Sequence, residues 1–501
     1  MAASESKDIT PGEGESFNRA YLPMVVVMMC GSFLSALNQN LMNTALPTFM
    51  NVFNITASDV QWLITAYTLA NGVMIPVTAY FIGRYSTRKM YFWSMGLFCL
   101  GTALCAVAPA FSMLIVGRIV QALGAGISMT LMQTVLFTVF PPDKRGTAMG
   151  FFGLIIAFAP AFGPTLSGLI VDSLPWQAIF VIQLPVIAVL ILLAVIFVKN
   201  VTGGQDGSLD VFSVVLSTLG FGGVLYGFGS AGALGFTSAT VLVSILVGAV
   251  CIALFVYRQL HLKTPVLEFR VFTYKGFTSA LILSVGTWCL FIGTAAVLPL
   301  FMQDMLGFSA TQSGMTLMGG GIAMGLLSPV MGRVFDTHGP RILVPVGMAL
   351  IVLVQILFAR AGVGTTMLYL AITYAVFLTG LSMCNTPLTT CAINSLPQSL
   401  VAHGSAMTNS MRQTMSAITT AVFISLMMAL AGPAAQEEAL SPGVNEMYIP
   451  GVHAVFVILS ILAVIMFIAA VMIFHNYGKS SEAGEEKAEQ MIKQAGEEQA
   501  E

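Results

Sequence analysis

Two arginines lie inside long apolar segments of the chain, where a charged side chain is rare and energetically costly. Arg118 lies in the apolar run 112–138 and Arg412 in the run 404–430. A charged side chain at the centre of a bilayer costs about 2.5–3.5 kcal/mol on insertion scales, so it is expected to face a cavity or a polar partner. Gln121 follows Arg118 by three residues and therefore shares its helical face. Such an arginine can hold an anionic group or change the proton affinity of a neighbouring site. The long side chain of Arg412 has a second interpretation, in which it reaches the membrane surface.

Other polar side chains near the middle of apolar runs are candidates to line a cavity. Besides the two arginines, they are Asn38, Gln39, Asn43, Gln121, Trp288, Asn385 and Gln413. Gln39 and Asn43 are four residues apart and share a helical face. A few fixed polar contacts in an apolar pocket suit small lipophilic ligands, and the chain contains 31 Met and 34 Phe that add adaptable apolar surface. Since no carboxylate is among these candidates, neutral or weakly charged ligands fit as well as cations.

The elements that must position these residues are membrane-spanning helices. The chain has 501 residues, of which 57% are hydrophobic and 8% are charged, whereas a soluble domain has about 25% charged residues. A spanning helix needs about 20 apolar residues. Fourteen such runs are predicted, at 21–45, 59–82, 90–109, 112–138, 146–171, 177–198, 211–230, 238–257, 277–300, 312–333, 342–361, 366–392, 404–430 and 450–476.

These apolar runs divide the basic residues between the two sides of the membrane. Of the twenty lysines and arginines, Arg118 and Arg412 lie within runs and Arg360 lies on one side of the membrane, while all the others fall on the opposite side. Because cytoplasmic loops carry the excess of lysine and arginine, this partition supports the count of fourteen spans and places both termini in the cytoplasm. The first span is its own insertion signal.

Several classes of function are excluded or disfavoured. The phosphate-loop pattern of nucleotide-driven pumps has one near match, at Gly478, and it lacks the first glycine. The spans contain no convergent nucleophile, acid–base or metal-binding groups, so we predict neither an enzyme nor a metal or cofactor site. The seven cysteines lie in the spans without ligand spacing and are interpreted as packing residues. The net charge of −2 reflects topology rather than nucleic-acid binding.

A repeat relates the two ends of the chain. The segment from Pro76 to Lys89 and the segment from Pro329 to Arg341 share a proline, a small residue and an arginine at a constant offset. The repeats follow the second and the tenth span, eight helices apart, whereas two six-helix halves would place them six apart. Two extra helices between the halves explain the difference. Repeats of this kind are typical of transporters whose halves rock about a central site; a channel is less well supported.

These loops resemble the signature after helix 2 of the major facilitator superfamily. The arrangement of six, two and six helices is similar to its fourteen-span drug:proton antiporters of the quaternary-ammonium and lincomycin-resistance type. Further stretches fit the same family: 38–47, 61–67, 117–126 and 403–413. The resemblance covers residues 20–476.

The resemblance implies a division of the chain into five parts. They are a cytoplasmic segment 1–20, an N-terminal six-helix half 21–198, a linking region with two extra helices 199–275, a C-terminal six-helix half 276–476 and a charged cytoplasmic tail 477–501. It also implies export by alternating access, with small lipophilic compounds, protons and the lipid bilayer as partners, in a bacterial cell membrane. We expect a monomer. The alternative is a transporter or facilitator of a lipid, peptide or metabolite without proton coupling.

The fifth span is similar to the antiporter motif of that family. Gly150, Gly163, Pro164 and Gly168 keep the motif spacing, while Ala159 and Ser167 replace two glycines. Small residues allow close helix packing, and the resemblance implies that this helix packs against the other half and closes the outer side. Generic small-residue packing is the alternative.

The basic loops are expected to latch the cytoplasmic side when the transporter is closed there. The residues concerned are Gly83, Arg84, Arg88 and Lys89 in the first half, and Asp336, Gly339 and Arg341 in the second. Gly83 stands where the family pattern has Asp, so the first loop lacks its carboxylate. The alternative is that these charges only set the topology.

Proton coupling usually needs a carboxylate inside the membrane. Asn38 occupies a first-span position that is commonly Asp in the family, and it does not titrate. Asp172, Asp304 and Asp336, near helix ends, are therefore the predicted proton-coupling residues, with Arg118 as a modulator. His453 is a titratable alternative.

Overall fold

A computed structural model describes residues 19–203, 210–262, 265–362, 364–430 and 448–475. Every regular element in these ranges is helical, which confirms the predicted all-α fold. The long helices are α1 Leu22–Phe53, α2 Trp62–Arg84, α3 Thr87–Ala106, α4 Phe111–Val139, α5 Arg145–Ser173, α6 Ala178–Phe197, α7 Val211–Leu234, α8 Ala239–His261, α9 Lys275–Leu300, α10 Ala310–His338, α11 Pro340–Ala359, α12 Met367–Asn394, α13 Val401–Leu430 and α14 Ile449–His475. The predicted charged tail, and nearly all of the predicted N-terminal segment, lie outside the described residues.

The fourteen helices match the predicted runs one for one. In the part of the chain described, thirteen of them are long and apolar enough to cross a membrane. The exception is α3, whose first turn carries Arg88 and Lys89. At 20 residues it is still about 30 Å long, the thickness of the hydrocarbon layer. The count of fourteen spans therefore stays a prediction.

Helix packing arranges α1 to α6 on one side of the bundle and α9 to α14 on the other. Within the first group α3 packs on α4, α2 on α4, and α1 on α5; within the second α10 and α11 pack on α12, and α11 on α14. The two groups, here called the N-terminal and C-terminal halves, meet along α5 with α10 and along α2 with α13. The cores of the halves are formed by apolar side chains such as Phe98, Phe137, Phe277 and Phe377, which are fully buried.

The extra pair, α7 and α8, lies against one of the two seams. These helices pack closely on each other, since Gly223 faces the backbone of Gly248. α7 also contacts both α2 and α13, one helix from each half. Leu225 of α7 fills the space beside Gly72 of α2, where Gln413 of α13 also lies. The pair therefore covers the α2–α13 seam, while the α5–α10 seam has no such cover among the described elements.

One end of the α7–α8 pair is tied by an ion pair. Arg258 donates two hydrogen bonds to Asp210, at 2.6 and 3.1 Å, and Ser213 donates a third at 2.5 Å. Gln259 bonds to Ser213 and accepts a hydrogen bond from the backbone of Val266, so the tie extends into the segment before α9. The hydrogen bond from Arg258 is the main reason that the pKa of Asp210 lies below its ordinary value of 3.8.

Substituting Asp210→Asn is expected to destabilise the α7–α8 pair slightly at neutral pH, because the ion pair is partly exposed and screened by solvent. A lowered folded-state pKa means that the stabilisation is complete above pH 3.8 and is lost as the pH falls through the folded-state pKa. The difference between wild type and variant, measured as unfolding in increasing SDS, should therefore be present at pH 7 and shrink at pH 3. Asp143→Asn, in an exposed loop, is the control. An equal difference at both pH values would contradict this account.

Candidate functional site

Arg118 organises a buried polar cluster in the N-terminal half. Its side chain is 0% exposed. Nη1 donates to Oδ1 of Asn38 and, at 3.0 Å, to Oε1 of Gln121. Nε donates to the backbone carbonyl of Leu63 at 3.3 Å. Three helices, α1, α2 and α4, thus supply neutral acceptors to one guanidinium, as a charge buried in an apolar bundle requires.

A second set of contacts fixes the amides of this cluster. Asn38 donates to Gln183 at 3.0 Å, and Gln121 donates to Thr102 at 2.8 Å. The guanidinium of Arg118 lies 4.1 Å from the centre of the Tyr67 ring, within the range of a cation–π contact. Because the oxygen of Asn38 faces the cation, its amide takes the place that a carboxylate would occupy in an ion pair. The predicted pairing of Arg118 with Gln121 is present.

Arg412 forms the corresponding cluster in the C-terminal half. Its Nη2 donates to Ser284 and Asn385, both at 2.6 Å, and to Thr389 at 2.8 Å. These acceptors come from α9 and α12, and the Arg412 side chain is 6% exposed. The alternative interpretation, in which Arg412 extends to the membrane surface, is therefore wrong.

The predicted residue Trp288 belongs to the same cluster. Its ring lies 5.2 Å from the guanidinium of Arg412, and its indole N–H donates to Ser416 at 2.9 Å. Asn409 and Gln413, on the same face of α13, donate across the interface to Gln133 of α4 at 2.9 Å and to the carbonyl of Thr68 in α2 at 3.5 Å. The Arg412 cluster therefore lies beside the boundary between the halves.

The two remaining predicted cavity residues lie on α1. Gln39 is half-buried, one residue beyond Asn38. Asn43 lies within α1, but its side chain is outside what the structure describes.

Neither arginine cluster contains a carboxylate among the described residues. Asp172 is exposed at the end of α5. Asp304 is half-buried in a π-helical turn, Phe301–Met305, that extends α9. Both lie at the end of the bundle away from the basic loops. His453 donates from Nε2 to the carbonyl of Ala361 at 2.5 Å, as a packing residue would.

Asp336 joins the two halves at the opposite end, here called the basic end, where Arg84, Arg88, Arg145 and Arg341 lie. Its carboxylate accepts hydrogen bonds from the backbone N–H groups of Gly146 and Thr147, both at 2.7 Å, and from the Thr147 hydroxyl at 2.6 Å. These donors form the first turn of α5, where the free N–H groups and the helix dipole favour a negative charge. The second-half loop residue predicted as part of a latch thus caps a helix of the first half.

Sequence reasoning missed the arginine that strengthens this junction. Arg145 donates to Asn394 at 2.8 Å and to Gln398 at 3.3 Å, both beyond the interface. The first-half residues predicted for the latch behave differently, since Arg88 donates to Val195 of its own half and Arg84 donates to Tyr80. In the sequence, Arg145 could have been noticed because it forms a basic pair with Lys144 directly before an apolar run. The positive-inside rule alone also produces such a pair, so the signal was not specific.

The other predicted loop residues lie around this junction without a described bond across it. Lys89 and Arg341 are exposed, and Gly83 is half-buried at the end of α2. Gly339 separates α10 from α11 with φ 70, a backbone conformation that favours glycine.

The glycines of the antiporter motif have three different surroundings. Gly150 packs against the backbone of Ser328 in α10, as expected for contact with the other half. Gly163 packs against Asn40 of its own half, and Gly168 has no heavy atom within 4 Å of the position a Cβ would take. The close approach of α5 to α10 runs from Gly146 and Gly332 at the basic end to Ala161 and Gly321. Closure of the outer side by this motif stays a prediction. Pro164, between Gly163 and Gly168, lies within α5.

The hydrogen bonds described between the halves follow the same distribution. Those of Asp336, Arg145 and Asn409 lie near the basic end, and that of Gln413 lies at about mid-depth.

Comparison with known proteins identifies the family to which this arrangement belongs. The profile of the Major Facilitator Superfamily matches residues 28–420. The chain belongs to this superfamily. The prediction drawn from the loop repeat is thereby confirmed, and the chain is a transporter rather than an enzyme, a multi-pass protein of the plasma membrane.

Two bacterial relatives and one solved structure define the similarity. An uncharacterized MFS-type transporter of Bacillus subtilis, YcnB, is 42% identical over 91% of this chain and 95% of its own length. The lincomycin resistance protein LmrB of Listeria monocytogenes is 39% identical over 81% of this chain and 87% of its own length. The crystal structure of the human organic anion transporter MFSD10 covers 90% of this chain and 99% of its own, with a TM-score of 0.61 and 14% identity, and shares the fold.

The close packing of α5 and α10 yields a stability prediction. A Cβ at Gly332 would collide with the backbone carbonyl of Gly146. We therefore expect Gly332→Ala to destabilise the protein by about 1–3 kcal/mol through overpacking. Gly319→Ala, on the same helix with no atom within 4 Å, should instead be neutral or stabilising by up to about 1 kcal/mol. Unfolding curves of the two variants in detergent check both values, and equal losses would refute the packing argument.

Proposed function

We propose that this protein exports lipophilic and amphipathic drugs across the plasma membrane by alternating access, in exchange for protons. The observation that carries the proposal is a bundle hydrogen-bonded between its halves at the basic end, with a buried polar cluster around one arginine in each half. That arrangement is expected of an exporter whose binding site has opened away from the cytoplasm. Its relative in Listeria monocytogenes is named for lincomycin resistance, which supports an antibiotic as the type of cargo.

The clusters suit a cargo of mixed character. Each half offers amide and hydroxyl groups around one cation, while Trp288 and Phe291, 5.2 Å apart, offer aromatic surface on α9. A few polar contacts on an apolar wall orient a ligand without demanding one shape. The residues proposed to contact cargo are Gln39, Trp288, Asn385, Arg412 and Gln413. Asn38, Arg118 and Gln121 are fully buried, so we propose that they act behind the binding surface.

Asp304 is proposed to carry the proton. Its side chain is half-buried, so a change of conformation can alter its contact with water and thereby its protonation. Asp172 is exposed and Asp336 is held by three hydrogen bonds, so each is a weaker carrier. Asn38 supports the competing function, transport without proton coupling, because the amide that contacts Arg118 cannot titrate.

Proton coupling is tested in liposomes under an imposed pH gradient, with a fluorescent lipophilic drug as cargo. We expect the gradient to drive transport, and Asp304→Asn to reduce gradient-driven transport to background while drug binding survives. Asp172→Asn and Asp336→Asn are measured in parallel, and Asp59→Asn, exposed in the short helix Ala57–Val60, is the control. Transport by the wild type that ignores the gradient would refute proton exchange and favour a facilitator.

Alternating access predicts that Asp336 controls the equilibrium between conformations. Asp336→Ala removes the cap of α5, so we expect the population with an open basic end to rise about tenfold, the effect of roughly 1.4 kcal/mol. Thr147→Val keeps both backbone donors and should have a smaller effect in the same direction. Spin labels on Asp143→Cys and Ser399→Cys, exposed positions on the two halves, report the opening as a longer distance.

Thr337→Val is the matched control, since its hydroxyl bonds only within its own stretch of α10. The proposal of a latch fails if Asp336→Ala leaves the distance distribution unchanged, or if Thr337→Val shifts it as much as Thr147→Val.

A further inference from the structure

The guanidinium of Arg412 is incompletely satisfied by the protein. All three described hydrogen bonds, to Ser284, Asn385 and Thr389, come from Nη2. Nε is buried and has no hydrogen-bond partner. A guanidinium offers five N–H donors in a planar fork that matches a carboxylate or phosphate. Since all the described bonds come from Nη2, the donors on Nε and Nη1 have no described protein acceptor.

The charge of Arg412 is also uncompensated. A guanidinium is charged at every physiological pH, and the two ion pairs in the described part of the chain, Arg258 with Asp210 and Arg270 with Glu268, do not include it. Its acceptors are hydroxyl and amide oxygens, which solvate a cation but do not neutralise it. A buried charge without a counter-ion is strongly unfavourable, so an arriving anion gains both the Coulomb attraction and the vacant donor.

Arg118 differs from Arg412 in its access. Although Nη2 of Arg118 also lacks a partner, its side chain is fully enclosed, with the buried ring of Tyr67 against it. Arg412 retains 6% exposure, and its cluster includes the half-exposed Trp288. Asn409, one turn before Arg412 on α13, donates to Gln133 of the other half, so Arg412 lies next to the face of α13 that meets that half.

We propose that the Arg412 cluster is a subsite for the anionic group of an amphipathic cargo, a carboxylate, phosphate or sulfonate. The anion accepts hydrogen bonds from the Arg412 donors that have no described protein acceptor, while Trp288 and Phe291 contact the apolar part. This assignment rests on the proposed export function and narrows it, since it selects acidic amphiphiles over lipophilic cations.

The test is equilibrium binding to the purified protein in phosphatidylcholine nanodiscs, with no gradient applied. Three fluorescent probes share one dansyl-alkyl body and differ only in the end group: carboxylate, primary amide or trimethylammonium. We expect wild type to bind the carboxylate at least about tenfold more tightly than the other two. Arg412→Gln should abolish that preference without weakening amide binding, and Arg412→Lys should retain part of it. Arg360→Gln, an exposed arginine at the end of α11, should leave the preference unchanged.

Two further variants keep the test independent of folding defects. Ser284→Ala and Thr389→Ala each remove one acceptor of Arg412 and keep its charge, so the preference for the carboxylate should persist in both. The source of the anion is resolved by adding phosphatidylglycerol to the nanodiscs. If this lipid displaces the carboxylate probe in wild type but not in Arg412→Gln, an anionic lipid also uses the subsite.

The proposal is overturned if wild type binds the three probes equally or prefers the ammonium. It is also overturned if Arg412→Gln, with amide binding intact, keeps the preference for the carboxylate. Because binding is measured without transport, a protein that binds the acid selectively but ignores a pH gradient refutes proton exchange and leaves the subsite standing.

Discussion

A guanidinium buried between apolar helices must be surrounded by oxygen atoms, and this constraint shapes both halves of the protein. Arg118 draws acceptors from three helices and Arg412 from two, so each arginine fixes the rotation of the helices around it. Removal of either cation would leave several buried acceptors unpaired, at a cost of about 1–3 kcal/mol each. The clusters therefore stabilise the halves as rigid units while keeping a charge close to the boundary between them.

The boundary itself depends on small residues and on one carboxylate. Gly146, Gly150 and Gly332 allow the backbones of α5 and α10 to touch, and that approach brings Asp336 within hydrogen-bond distance of the first turn of α5. Close packing and capping reinforce each other, because the cap forms only when the helices approach and the approach is stabilised by the cap. Since the hydrogen bonds lie toward the basic end, a few broken contacts there would separate the halves without disturbing either polar cluster.

The amide of Asn38 changes the electrostatics of the N-terminal half. A carboxylate at this position would pair with Arg118 and titrate, whereas the amide leaves the cation in place at every pH. The interior consequently carries two fixed positive charges and, among the described residues near them, no negative one. A positively charged site attracts acidic or neutral molecules. The proposed subsite for an anionic group agrees with this charge distribution, to which the amide of Asn38 beside Arg118 contributes.

The sequence alone determined the all-α fold, the placement of the helices, the repeat and the family, because hydropathy and the sorting of basic residues act on each span separately. It also located both arginines and the partner Gln121, since three residues along a helix is a local relation. The sequence did not reveal Ser284 and Thr389 as acceptors of Arg412, nor the bonds of Arg145 to Asn394 and Gln398. Only the tertiary structure decided these contacts, because they depend on how helices distant in the chain are rotated and crossed, and no local pattern encodes that geometry.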